Sequence, residues 1–276
     1  MTERRVAIIT GGASGIGAAL GEALAERGVE VILADRQAKL ADEVAERIRC
    51  AGGAASAHEL DVRSFPAWDE LVKEVFARTG RIDYLFNNAG IGVGAEIVDY
   101  DVADWDDVFD VNLRGVAYGI QSIYPLMVRQ GFGHIVNTAS MAGLVPATEG
   151  SSTATKYAVV GLSRALRIEA ERHGVRVSVL CPGAIRTPIL TGGKYGRLKM
   201  PGVSDDKILA IWERMRPMSP RELARKTLAA MERDEAIIVF PRWWKALWYL
   251  DRISPRASEA LWIRLFARMR KELGAR

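Results

Sequence analysis

Ser152 and Lys156, in the stretch GSSTATKYAVVG (150–161), stand four residues apart. On a helix that spacing stacks two side chains on one face, a turn apart. An amine and a hydroxyl so placed can hold a water or hydrogen-bond a ligand. They are poorly equipped to move a proton, because an aliphatic hydroxyl is a far weaker acid than a phenol. Thr153 and Thr155 share that weakness. The nearby phenol, Tyr157, is five residues beyond Ser152, which turns it about 140° off that face, and about 100° from its neighbour Lys156. It reads as helix packing. His58, His134 and His173 are scattered, and Cys50 and Cys181 are too few to pattern a metal site.

A second chemical signal lies at the start of the chain. In TGGASGIG (10–17), glycines at 11, 15 and 17, with Ser14 and Ile16 between them, follow a β-like run and open a helical one. That arrangement allows a tight turn and close approach of a pyrophosphate to backbone N–H groups at the positive end of a helix. Asp35 ends the next β-like run, 18 residues beyond Gly17. A carboxylate there accepts both ribose hydroxyls of NAD and repels the 2′-phosphate of NADP. Arg36 admits two readings, a cation that neutralises that repulsion and holds the phosphate of NADP, or an exposed loop charge. Asp61 and Val62 follow the third run and suit the adenine edge; Asp61 also suits a loop cap. The cofactor expected on these residues is NAD, with NADP left open by Arg36.

The elements that must position these residues alternate throughout. VAIIT (6–10), VEVILAD (29–35), AASAHELD (54–61), DYLFNNA (83–89), GHIVNTAS (133–140), VRVSVLCPG (175–183) and AIIVFP (236–241) read as seven strands. Apolar runs without alternation suit strands covered on both faces. The segments at 18–28 and 40–53 carry helical apolar spacing and close on glycine. The fold class is therefore α/β, a doubly wound parallel sheet with helices on both faces. TGGKYGRLKMPG (191–202) reads as a mobile loop.

From TGGASGIG through NNAG (87–90), Asn112 in DVNLRGV, Ser140, Lys156 and PGAIRT (182–187), the chain resembles the short-chain dehydrogenase/reductase family over about residues 5–190. The resemblance implies a Rossmann-type fold, a nicotinamide cofactor and interconversion of a secondary alcohol with a ketone. It gives Asn88, Ala89 and Gly90 to the floor of the cofactor site and Asn112 to a proton-relay water. Ser140 would orient the substrate carbonyl and Lys156 bind the nicotinamide ribose. Pro182, Gly183, Ile185 and Thr187 would lie along the nicotinamide. It also implies a homodimer or homotetramer.

The family's proton carrier is the Tyr of Tyr-x-x-x-Lys, and here that position is Ser152. Ser140 precedes it by 12 residues rather than the family's 13, which shortens the loop PATEGSS. Asn112, Ser140, Lys156 and the cofactor residues are all present. That intactness favours a Tyr→Ser replacement, an engineered one, in a working dehydrogenase, with very low activity as its consequence. The alternative is a natural, catalytically silent sensor or scaffold for NAD(H) or another ligand.

Residues 1–240 read as one dinucleotide-binding domain with a substrate lid at about 188–220. In that lid Ile208, Leu209, Ile211, Trp212 and Met215 favour a hydrophobic alcohol or ketone. The tail, 241–276, carries nine Lys/Arg against three acids, so it is +6 where the whole chain is +4 and the remainder −2. A basic pI confined to the tail gives no reason to expect nucleic-acid binding. Leu261, Trp262, Leu265, Phe266 and Met269 form one apolar helical face. Such a helix suits packing on the body, an interface between copies, or peripheral contact with a membrane. Few cysteines, a strand pattern close to the first residue and no long apolar run place the chain in the cytoplasm, in contact with a membrane at most through its tail.

Overall fold

Val6 and Ile8 point to one side of a central sheet and Ala7 and Ile9 to the other, and each set is buried in its own hydrophobic cluster. This is the physical reason the strand runs are apolar without alternation. The computed structural model describes residues 4–146, 150–199 and 203–273. In chain order the elements are β1 (Val6–Thr10), α1 (Gly15–Ala25), β2 (Glu30–Asp35), α2 (Ala38–Cys50), β3 (Ala54–Glu59), α3 (Phe65–Thr79) and β4 (Tyr84–Asn87). Then come β5 (Val93–Gly94), α4 (Val102–Phe109), α5 (Gly115–Gln130), β6 (Gly133–Thr138), α6 (Gly150–Ala170) and β7 (Val175–Pro182). The last are β8 (Arg197–Leu198), α7 (Asp205–Arg214), α8 (Pro220–Glu232), β9 (Ile237–Phe240), α9 (Trp244–Ile253) and α10 (Pro255–Leu273).

Seven strands form one parallel sheet in the order β3-β2-β1-β4-β6-β7-β9. The order reverses direction at β1, whose neighbours are β2 and β4. In such sheets a crevice opens there at the carboxyl ends of the strands. All seven expected strands form, several ending earlier than the sequence pattern. Asn88 and Ala89 leave the sheet because their N–H groups bond the Thr10 hydroxyl, both at 3.0 Å. Ser140 leaves it to cap the turn at Met141–Gly143.

One expectation changes. The described part of 191–202 is anchored rather than loose: Arg197 and Leu198 pair with Val93 and Gly94 as a second, two-stranded sheet. Arg197 also reaches the buried Asp104 at 3.0 Å and Asp107 at 2.5 Å, and Lys199 reaches Asp101 at 2.9 Å and also Asp104. Two-residue strands and cross-chain ion pairs leave no periodic trace, so glycine and lysine content alone suggested mobility. Residues 200–202 lie outside the described residues, as do 147–149 of the shortened loop PATEGSS. The lid helix runs over Asp205–Arg214, and beyond it Met218 bridges Ile185.

His134 on β6 is almost wholly buried, with Nε2 2.9 Å from Ser178 Oγ. The Ser178 hydroxyl donates to Glu235 O at 2.7 Å, so His134 Nε2 carries the proton of that contact. Burial, ahead of the charges around it, pushes the imidazole pKa down to about 4. The unfolded chain, with an imidazole near 6.5, binds the proton first. Stability therefore falls as pH drops from about 6.5 toward 4, by roughly 3 kcal/mol in all. Urea unfolding at pH 7 and pH 5 should show about 2 kcal/mol of that loss by pH 5, and H134Q should remove most of the difference. An unchanged pH dependence in H134Q would show that the buried imidazole is not its source.

Candidate active site

Three short segments meet at the β1–β4 crevice. Thr10 closes β1, and its hydroxyl takes the Asn88 and Ala89 N–H groups. Asn88 Nδ2 donates back to Thr10 O at 3.0 Å, and Thr138 Oγ1 at the end of β6 donates to Asn88 Oδ1 at 3.4 Å. The ends of β1, β4 and β6 are thereby held in register by side chains beyond the ladder.

The glycine-rich turn lies beside them. Gly15 has φ +55, and a Cβ on it would press on Thr187 Cγ2 at 3.1 Å. A Cβ on Gly17 would overlap Gly11 O, so Gly17 is a packing position that lets α1 seat on the turn. Gly17 is buried and does not line the cavity, whereas Gly11, Ser14, Gly15 and Ile16 do. Ser14 precedes α1 without a side-chain cap, leaving the first N–H groups of the helix open toward the cavity. This turn fits a pyrophosphate: it lacks side-chain bulk and presents donors at a helix start.

Asp35 lines the cavity, with Oδ1 accepting from Gln37 N at 2.9 Å and Oδ2 from Ala13 N at 3.1 Å. Those bonds fix the carboxylate at the end of β2. Arg36 also lines the cavity, its guanidinium 4.5 Å over the Tyr195 ring and 3.6 Å from Asp61. Asp61 itself accepts from Arg63 N at 3.0 Å and grips the Arg63 guanidinium at 2.7 Å, which holds its carboxyl below the usual range. Of the pair expected at the adenine edge, Val62 lines the cavity and Asp61 serves the loop.

Asn112 sits fully buried in a π-helical turn, Asp110–Arg114, between α4 and α5. Its side chain clamps one residue from both sides, Oδ1 accepting from Ile91 N and Nδ2 donating to Ile91 O, each at 2.9 Å. Gly90 lies between Asn112 and Lys156; a Cβ on it would be 3.3 Å from Asn112 Oδ1 and 3.7 Å from Lys156 Nζ. Lys156 Nζ donates to Thr138 O at 2.9 Å. Burial pushes this amine down to about 8. Cys181 stays a thiol, pushed up to about 12 by burial.

Ser140 and Ser152 both line the cavity with Lys156. Ser140 Oγ accepts from Ala142 N at 3.1 Å and keeps its own proton for a second partner. Ser152 is 8% exposed, one helical turn before Lys156 on α6. Tyr157 is 42% exposed and does not line the cavity. Burial of its ring face and the nearby Asp251 raise its phenol above the ordinary value, making it a weaker proton donor still. Pro182, Gly183, Ile185 and Thr187 line the same cavity from the β7 side.

The cavity holds about 1010 Å³, the upper end for a pocket that encloses one small ligand. Its far wall is apolar, from Ile208, Ile211, Trp212 and Met215 on and after α7. Leu209, grouped with them in the sequence, faces outward at 38% exposure. The tail supplies the rest: Trp244 of α9 and Trp262, Phe266 and Met269 of α10 line the cavity too. Trp244 packs directly on Gly183, where a Cβ would overlap its indole. Arg270 bonds Glu96 at 2.6 Å, and Arg214 pairs with Glu272, so α10 is clasped to both rims. Thr10, Thr138, Ile91 and Trp244 are site residues that the sequence did not single out. A threonine at a strand end and a tryptophan in a distant helix carry no local signal of the site they complete.

The short chain dehydrogenase family model matches residues 5–194. An uncharacterized oxidoreductase of Staphylococcus epidermidis is 32% identical over 213 residues, 76% of this chain and 91% of that protein. The 2,5-dichloro-2,5-cyclohexadiene-1,4-diol dehydrogenase LinX of Sphingobium indicum is 37% identical over 186 residues, covering 67% of this chain and 74% of that one. Among solved structures, a short chain dehydrogenase/reductase from Burkholderia phymatum in complex with NAD aligns with a TM-score of 0.82 at 30% identity, covering 93% and 96% of the two chains. A short-chain dehydrogenase from Sphingobium yanoikuyae in complex with NADPH aligns with a TM-score of 0.75 at 27% identity, covering 88% and 91%. With its parallel sheet, its glycine turn, Ser140 and Lys156 lining one cavity and Asn112 buried behind Ile91, the chain belongs to the short-chain dehydrogenase family of nicotinamide-dependent oxidoreductases.

Proposed function

We propose that the cavity binds NAD together with a hydrophobic secondary alcohol or ketone, and that the chemical step is severely impaired for want of a proton carrier. The observation that carries this reading is Ser152, buried in the cavity wall one turn before Lys156; among the described residues the phenol that lines the cavity, Tyr195, lies under the Arg36 guanidinium and not on α6. The open start of α1 would hold the pyrophosphate, Asp35 the adenosine ribose and Lys156 the nicotinamide ribose. When bound, the cofactor supplies or accepts the hydride at the carbinol carbon. Ser140, whose hydroxyl proton is uncommitted, donates to the substrate oxygen. That oxygen must gain or lose a proton, and an aliphatic hydroxyl at 152 does so poorly. Lys156, with its amine lowered to about 8, retains the field that would lower a phenol's pKa beside it.

The apolar wall built from α7, α9 and α10 supports a hydrophobic substrate. NAD is supported by the fixed Asp35 carboxylate and by Arg36, engaged with Tyr195 and Asp61 rather than free to hold a 2′-phosphate. Residues 1–240 act as the catalytic unit, with 241–276 completing its pocket. Exposed Val98, Val102 and Ile168 support association into a homodimer or homotetramer. The second reading, a natural ligand sensor that never turns over, rests on the same Ser152.

Restoring the phenol separates the two. S152Y should raise turnover of secondary alcohols by roughly 10²–10⁴-fold, the span of one acid–base group. Silence of S152Y across a broad alcohol and ketone panel, with NADH still bound, supports the sensor. Calorimetric titration should show NAD binding roughly tenfold or more tighter than NADP, with the gap closing in D35A. Equal affinities in the unaltered chain would contradict the role given to Asp35.

A further inference from the structure

With its inner face closing the cavity, α10 leaves the opposite face to solvent. Arg256, Arg264 and Lys271 fall within about 80° of one another around the helix, diametrically opposed to Trp262 and Met269. All three are exposed and, among the described residues, none has an ion pair; Arg268 beside them pairs with Glu272 at 3.2 Å. Ile263 borders these cations at 68% exposure. At the junction with α9, Ile253 stands 84% exposed, beside Arg252 and near Tyr249 at 53%. Residues 241–276 are +6 while the rest of the chain is −2, so the positive charge is concentrated on the tail that α9 and α10 form.

We infer that this outward face docks the protein on an anionic lipid bilayer. Cations flanked by exposed isoleucine and tyrosine match a surface that offers negative headgroups with an acyl layer just beneath them. A nucleic acid or an acidic protein surface would use the cations and leave Ile253 and Ile263 in water. The clasps of Arg270 to Glu96 and Arg214 to Glu272 fix the helix on the body, so its basic face is presented as a rigid strip. The same helix then has a lipid surface on one side and the apolar cavity wall on the other, an arrangement suited to a membrane-dissolved substrate. The docking claim does not depend on turnover, so it stands or falls separately from the redox reading.

Sedimentation with vesicles tests it on the full chain. The protein should pellet with vesicles of equal parts phosphatidylcholine and phosphatidylglycerol, remain in the supernatant with phosphatidylcholine alone, and be released by raised salt. R264E/K271E should lower partitioning roughly tenfold or more, with R264Q/K271Q between it and the unaltered chain. Both substitutions lie on exposed positions, and unchanged NADH binding would confirm that the variants are folded. No pelleting with the mixed vesicles would overturn the inference. So would equal pelleting of the unaltered and charge-reversed proteins, or retention on DNA or an acidic protein with none on vesicles.

Discussion

Lys156 must keep an amine in a wall that strips it of water, and much of the site can be understood as the means of doing so. Its hydrogen-bond acceptor among the described residues, Thr138 O, is a strand-end carbonyl, so the amine is anchored to the sheet rather than to a mobile side chain. The strand end is in turn fixed by Asn88, which Thr10 and Thr138 grip from either side. Asn112 secures the next residues by holding both polar groups of Ile91. Behind them Asn87 Nδ2 donates to Asn137 Oδ1 at 2.9 Å, and Asn137 Nδ2 donates to Ser163 Oγ at 2.9 Å, tying α6 to β4 and β6 below the lysine. Buried polar chains of this kind fix geometry because each member would be costly to leave unpaired.

That rigidity explains why Ser152 matters so much. The Lys156 amine is placed by its bond to Thr138 O at the end of β6, and among the described residues the Ser152 hydroxyl makes no hydrogen bond to it. On the proposed reading, a serine in place of a phenol there would leave the amine in place and withhold only the acid it would activate. On the same reading, a cofactor site and a proton-transfer site that share one lysine part company, the first keeping its residues and the second lacking its phenol.

The sheet and the nucleotide turn were legible in the residues because both are local. Unbroken apolar runs announce strands covered on both faces, and glycines at 11, 15 and 17 announce a turn without side-chain bulk. The tail was legible only as a helix with one apolar face; nothing in its spacing says that Trp262, Phe266 and Met269 meet Ile211 and Trp212 across a cavity. The segment around Arg197 was misjudged as loose for the same reason. Its partners, Asp101, Asp104 and Asp107, lie some ninety residues away and are brought close only by the fold. Arg36 carries no local sign of the Tyr195 ring and the Asp61 carboxylate that the fold brings beside it.

The central claim, that cofactor binding is intact and proton transfer is missing, is tested most directly on the unaltered chain by measuring both on one sample. NADH should saturate the protein with ordinary affinity, while turnover of secondary alcohols stays at least a hundredfold below the roughly 10 s⁻¹ of a median enzyme. Turnover near that median, with Ser152 verified by mass spectrometry, would contradict the account.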